Sequence, residues 1–452
     1  MNLRSVLRAA LLLAVTTTLL SAATTRFALA QGAPPAPASN AQIVVKSSGY
    51  TLVKLAVPDA LNRGGVPDTR GVTEALSGTV ARDLKIAAYF ELVDRAAYLV
   101  DPAKEGLEPN FKAWFNVGAQ GLVKIAYEIS GTDVTVDARL YGVDRAQRVA
   151  LPAPFDKPVK VPLDVDKLRT HAHAFANALV KYYTGEEGFF LTRIVFTKRT
   201  GKGTKDLFMV SPDGSEETQL TQNGSINMLP SFRGGRILFT SFKNGNPDLF
   251  VLEKGAARPL SNRPGLNTGG QLSPDGSVVA ATLSKDGSPD IFLLNPGDGS
   301  VVAKLTEADG IDTSPTWSPD GSQLAFVSDR HGSPQIWLMN RDGSNQRRLT
   351  FQGEYNQTPE WSPNGDKILF TARDERLIFD IFTVEVATGV ITRLTQNQGN
   401  NEEPDWSPNG RYVVFSSTRT GEAKLYIGTE DGRIQNQIST GKGEYLTPTW
   451  GR

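Results

Sequence analysis

Cysteine is absent from the 452-residue sequence, so disulfides and thiolate metal sites are unavailable and packing must hold the fold together. Net charge is absent too: 48 Lys plus Arg balance 48 Asp plus Glu, and no basic excess points to a nucleic-acid partner. Past residue 30 no run is long and apolar enough for a transmembrane helix. The parts of a serine hydrolase are missing as well. No Ser has Gly two places away on both sides, and the only His after His173 is His331, which excludes the nucleophile turn and its later base. Gly-rich stretches lack the Lys-Ser/Thr ending of a phosphate loop.

What is present is repetition. Pro315-Thr316-Trp317-Ser318-Pro319-Asp320-Gly321 recurs as Pro359 to Gly365 and Pro404 to Gly410, with fainter copies around Leu272, Phe232 and Trp450. The anchors at 232, 272, 317, 361, 406 and 450 are 40, 45, 44, 45 and 44 residues apart, a period that marks stacked or radial units. After each anchor come a Pro-Asx-Gly turn or its remnant and two β-rich runs. A short run ending in pairs such as Leu349-Thr350 or Leu394-Thr395 closes the unit. Four short antiparallel strands per unit make a propeller blade. The first unit lacks an anchor strand and the last anchor, Leu446 to Trp450, lacks a unit. One deficit fits the other, so six blades are expected, with the C-terminal strand completing the N-terminal blade.

Residues 1–30 read as a secretory signal: Arg4 and Arg8, an apolar stretch from Ala9 to Leu20, and Ala28-Leu29-Ala30 as cleavage site. Residues 31–42 form an extended, Pro- and Ala-rich linker or arm. Residues 43–188 read as mixed α/β, and residues 189–452 as the propeller. In the α/β part, Val72, Leu76, Val80 and Leu84 recur at helical spacing, as do Leu168, Ala172, Phe175, Leu179 and Tyr183. Gly131-Thr132-Asp133 reads as a hairpin turn. His171 and His173 sit two apart on different helix faces and cannot grip one metal together; His171 reads as a structural histidine beside the packed face. No cofactor is expected.

Most Asp residues of the repeats, including Asp275, Asp298, Asp320, Asp342 and Asp431, directly precede Gly, which is turn chemistry. A second polar series does not. Asn227, Asn267, Asp312, Asn356, Asn401 and Tyr445 stand five residues before each anchor. If the anchor strand is innermost, these six ring one mouth of the channel, surrounded by loops carrying Lys243, Lys285, Arg330, His331, Arg373 and Arg419. Two readings stay open: each Asx starts its strand with a local hydrogen bond, or the ring awaits a partner.

The repeated Trp-Ser-Pro-Asx-Gly anchors and the junction Thr184-Gly185-Glu186-Glu187-Gly188-Phe189-Phe190-Leu191-Thr192-Arg193-Ile194 resemble the TolB family of the Tol-Pal envelope system. Asn177 stands where the resemblance leads one to expect Asp. The resemblance implies a non-enzymatic, periplasmic, monomeric protein. It implies that the lipoprotein Pal binds at the channel mouth through Asn227, Asn267, Asp312, Asn356, Asn401, Glu403, Arg330 and His331. It also implies that TolA binds the N-terminal arm through Gln42, Ile43, Val44 and Val45, with other outer-membrane lipoproteins as further partners and a role in drawing the outer membrane inward at division. The rival class is a hydrolase or lyase acting on a periplasmic glycan or peptide in the channel.

Overall fold

The computed structural model describes residues 52–373 and 375–451. The signal, the linker and the arm residues Gln42 to Val45 lie outside the described residues.

The N-terminal sheet begins with Val53–Ala56, which pairs in parallel with Phe90–Leu92 on one side and Gly121–Ser130 on the other. The hairpin expected at Gly131 joins Gly121–Ser130 to Asp133–Gly142, and Gln147–Val149 and Val159–Pro162 extend the sheet. Both expected helices form. The first spans 72–86 and widens to a π-type turn over Glu74–Gly78; Val72, Leu76, Val80 and Leu84 are all fully buried. The second, Val165–Thr184, starts where the Asp164 carboxylate accepts from the Asp166 and Lys167 amides at 3.0 Å each, and stops at Gly185 in a left-handed conformation.

Six four-stranded antiparallel sheets follow. Five are consecutive in sequence. The other takes Tyr445–Trp450 as its innermost strand, beside Ile194–Gly201, Thr204–Val210 and Thr218–Gln219. The ring therefore closes with its last strand in its first blade, which pairs the edges at the seam.

The junction motif explains itself at this seam. The Thr192 hydroxyl donates to the Phe189 carbonyl at 2.6 Å and accepts from the Trp450 indole at 2.7 Å, while Phe189 packs on Tyr412 and Trp450. Gly188 sits against Asn177, where a Cβ would approach its side chain to 2.1 Å. Asn177 accepts from the Phe190 amide at 3.1 Å, so an amide does here what the expected carboxylate would. The Tyr412 hydroxyl reaches back to the Ala87 carbonyl at 2.7 Å. A single apolar cluster runs from the N-terminal sheet through Phe189 and Phe190 into the first and last blades.

The turn reading of the aspartates holds. Asp275, Asp298, Asp320, Asp342 and Asp431 each accept from the backbone amide two residues on, at 2.9 to 3.1 Å. Serine hydroxyls, with these backbone amides, hold the carboxyls of Asp275, Asp320 and Asp342 below the ordinary range, and at Asp298 the Ser300 amide leads. The histidine pair divides as their different faces require. His171 lies partly buried against Phe155, ring centroids 5.3 Å apart. His173 is fully buried, its Nδ1 2.8 Å from Asp83.

Candidate functional site

The innermost strands run outward from one mouth and carry the same irregularity in all six blades. Between residues such as Met228 and Ser231, or Glu402 and Asp405, the register with the second strand slips by one residue, the signature of a β-bulge. Each bulge turns on a left-handed residue two places after the Asx position: Leu229, Gly269, Ser314, Thr358, Glu403 and Thr447, with φ from 46 to 62°. Only one is glycine, so five carry the steric cost of that conformation, about 1–2 kcal/mol each. The next residue is Pro in all but the third blade. Proline suits this place because a bulge on a channel-facing edge leaves an amide without a ladder partner.

These bulges form the channel neck, a cavity of about 140 Å³. Side chains cross beneath it: Ser231 donates to Gln271 at 2.9 Å, and Gln271 and Thr316 both donate to Glu360 at 3.0 Å. The Gln271 to Glu360 bond spans from the third blade to the fifth. Glu403 projects into the neck and accepts from the Thr447 amide at 2.7 Å. Burial and the neighbouring Glu402 push its carboxyl up to about 7, so it holds a proton that an ordinary glutamate would lose.

The residues expected to ring the mouth are placed differently. Asn227, Asn267, Asp312, Asn356, Asn401 and Tyr445 are all at most 1% exposed. Three of them clasp blades together instead, while Asp312 and Tyr445 bond within their own blades. Asn227 donates to Asp206, Asn356 to Gln335 and Asn401 to Asp380, each partner within the first three residues of the third strand of the preceding blade. Thr221, Thr350 and Thr395, from the short closing run, complete each clasp by donating to the same partner. Arg330 is half-buried and pairs with Asp312 at 2.8 Å. The local hydrogen-bond reading holds in part, for Asn267, Asn356 and Asn401 also donate to nearby backbone carbonyls, and the buried side chains of the series do not present themselves at the mouth. His331 is exposed on its loop, and Glu403 is half-buried in the neck.

Sequence reasoning passed over two features. The left-handed series could have been suspected from Pro230, Pro315, Pro359, Pro404 and Pro448, which recur three places after the polar series. Phe351 and Leu377, 72% and 67% exposed, carry no periodic signal. Phe351 precedes the innermost strand of the fifth blade and Leu377 lies between that blade's second and third strands, so strand direction puts both on the face that carries the mouth.

Residues 180–452 match the family model of the TolB β-propeller domain, and residues 41–149 match that of the TolB amino-terminal domain. The chain belongs to the TolB family. The Tol-Pal system protein TolB of Anaeromyxobacter dehalogenans strain 2CP-C is 41% identical, covering 94% of this chain and 97% of the relative. That of Myxococcus xanthus strain DK1622 is 40% identical over 90% of this chain and 93% of its own. The crystal structure of TolB from Acinetobacter baumannii matches with a TM-score of 0.75 at 24% identity, over 88% of this chain and 96% of that one, a likeness of fold.

In this TolB-family neck, Glu403 predicts a pH dependence. Its folded value lies above its ordinary 4.5, so between about pH 4.5 and 7 the native state holds a proton that the unfolded chain releases. Its contribution is complete below pH 4.5 and is lost as pH rises through 7. Allowing for water in the neck, the loss is on the order of 1–2 kcal/mol. Urea denaturation at pH 4.5 and 8 should show wild type losing this much relative to Glu403→Gln; parallel pH profiles would refute it.

Proposed function

We propose that this chain is the exported, non-enzymatic propeller component of a Tol-Pal system, monomeric and periplasmic, that binds the lipoprotein Pal at the channel mouth. The observation that carries the reading is the neck itself. At about 140 Å³ it is smaller than the roughly 300–1,000 Å³ of ordinary small-molecule sites, while Phe351 and Leu377 are exposed in loops on the same face. A neck of that size admits a side chain or two from a protein resting on the mouth, and apolar residues on that face suit such a partner. The hydrolase or lyase alternative needs room for substrate, and the small neck disfavours it.

The contact set is accordingly revised. Phe351, Leu377, His331 and Glu403 are the groups proposed to meet Pal. The buried clasp residues and Arg330 act by holding the mouth in shape. The arm at Gln42 to Val45 is proposed to bind TolA, and the two engagements together to support envelope integrity and outer-membrane invagination at division, with other outer-membrane lipoproteins as further partners.

Calorimetry with purified Pal tests the proposal. Wild type should bind, and Phe351→Ser with Leu377→Ser should weaken binding by at least about tenfold at an unchanged melting temperature, since both side chains are exposed. Absence of binding by folded wild type would overturn the Pal assignment. Undiminished binding by the double variant would move the contact off this side of the mouth.

A further inference from the structure

We infer that His173 Nε2 and Asp213, with Asp83 orienting the imidazole through its other nitrogen, form a binding site for one divalent first-row transition-metal cation, Zn²⁺ in preference to Mg²⁺ or Ca²⁺, at the junction of the two domains. The three residues come from three separate places: the first helix, the second helix and the turn after the third strand of the first blade. Each offers a ligand atom within 4.8 Å of the others. Their side chains are between 0 and 1% exposed.

Unpartnered atoms point to a ligand. Among the described residues only nine buried side-chain polar atoms lack a hydrogen bond, and three of them belong here: Asp83 Oδ1, His173 Nε2 and Glu216 Oε1. Glu216 lies within electrostatic reach of His173. The imidazole Nδ1 lies 2.8 Å from Asp83 Oδ2 and Nε2 faces Asp213 Oδ1 at 4.0 Å; a neutral ring that donates its Nδ1–H to Asp83 presents its Nε2 lone pair there. A lone pair turned toward a buried carboxylate is repulsive unless positive charge separates them. Carboxylate on one ring nitrogen, metal on the other, is the usual setting of a ligating histidine.

The repeat supplies an internal control. Asp213 belongs to the same series of Asp-Gly turns as Asp298, Asp342 and Asp431, and like them accepts from the amide two residues on. Only Asp213 among these is buried, because the N-terminal domain covers it. Arg82 bonds its Oδ2 at 3.2 Å and Ser215 its Oδ1, so the carboxylate is held in place with one side turned to the imidazole. One imidazole nitrogen with carboxylate oxygens selects Zn²⁺, Co²⁺ or Mn²⁺, whereas Mg²⁺ and Ca²⁺ take all-oxygen sets. A cation here would tie both long helices to the first blade.

The whole protein, stripped with chelator, is titrated with Zn²⁺ and Co²⁺ by calorimetry and visible absorption, with Mg²⁺ as comparison. About one equivalent of Zn²⁺ should bind, Co²⁺ should give d–d bands, and saturating Zn²⁺ should raise the melting temperature by several degrees. Asp213→Asn, which keeps an oxygen for the turn, and His173→Gln should each weaken Zn²⁺ binding at least about thirtyfold. Circular dichroism of the metal-free variants establishes that they fold, and Asp213→Asn carries the test should His173→Gln not. Folded wild type that takes up neither metal holds a proton on His173 instead, and the inference fails. It fails equally if stoichiometric binding is undiminished in Asp213→Asn.

Discussion

Trp450→Ala should destabilise the protein by about 4–5 kcal/mol, and deletion of residues 445–452 should leave it insoluble. Trp450 is fully buried, and truncating a buried tryptophan costs roughly 3–5 kcal/mol. Its indole also donates to Thr192 at 2.7 Å, and losing that bond adds about 1 kcal/mol; the backbone amide keeps its bond to Asp405. The deletion goes further, since it exposes the inner edge of Ile194–Gly201 and opens the ring. Urea denaturation measures the first and the soluble fraction on expression the second. A loss below about 2 kcal/mol for Trp450→Ala would mean that the seam contributes little to holding the ring.

Asp380→Ala should cost about 3–5 kcal/mol. The carboxylate is fully buried and accepts from Thr395 at 2.6 Å and Asn401 at 2.8 Å, with the Arg393 guanidinium against its other oxygen. Removing it leaves a guanidinium and two polar groups without their acceptor, the expensive way to break a buried pair. Asn401→Ala, cutting the same clasp from the other side, should cost about 2 kcal/mol, and the double variant less than the sum. Additive losses would show that the two residues do not act through one network. Because of this cost, lost Pal binding in an Asn401 or Asn356 variant reports a contact only if the mouth keeps its shape. Phe351 and Leu377 give the cleaner test.

The neck and the clasps are two sides of one construction. Asn227, Asn356 and Asn401, at the heads of their innermost strands, are pinned into the preceding blade, and two residues after the head of each innermost strand the chain is forced into a left-handed bulge. Rigid pinning is what makes that strain sustainable, since a strained conformation persists only where its surroundings over-determine it. The result is a narrow mouth whose shape is set before any partner arrives, which lowers the cost of ordering on binding.

The blade count, the seam and the helices were legible because each rests on local chemistry that repeats or alternates. A Pro-Asx-Gly turn, a strand of alternating apolar residues and a missing anchor at one end are properties of neighbours in the chain. The direction of the polar series was not legible. Asn401 has the same sequence surroundings whether its amide faces the channel or turns to Asp380, 21 residues back in the previous blade, and only the packing of one blade on the next decides between them. The same holds for His173: helical spacing excludes His171 as its companion, but its real companions come from another helix and another domain.

The sequence by itself therefore determined the architecture, an α/β domain and six blades closed by the last strand, and with the junction motif the family. Tertiary structure decided which polar residues are buried clasps and which surround the neck. It also decided that one turn aspartate of the series is covered by the other domain. Burial depends on what packs against a residue, and those neighbours lie far away along the chain.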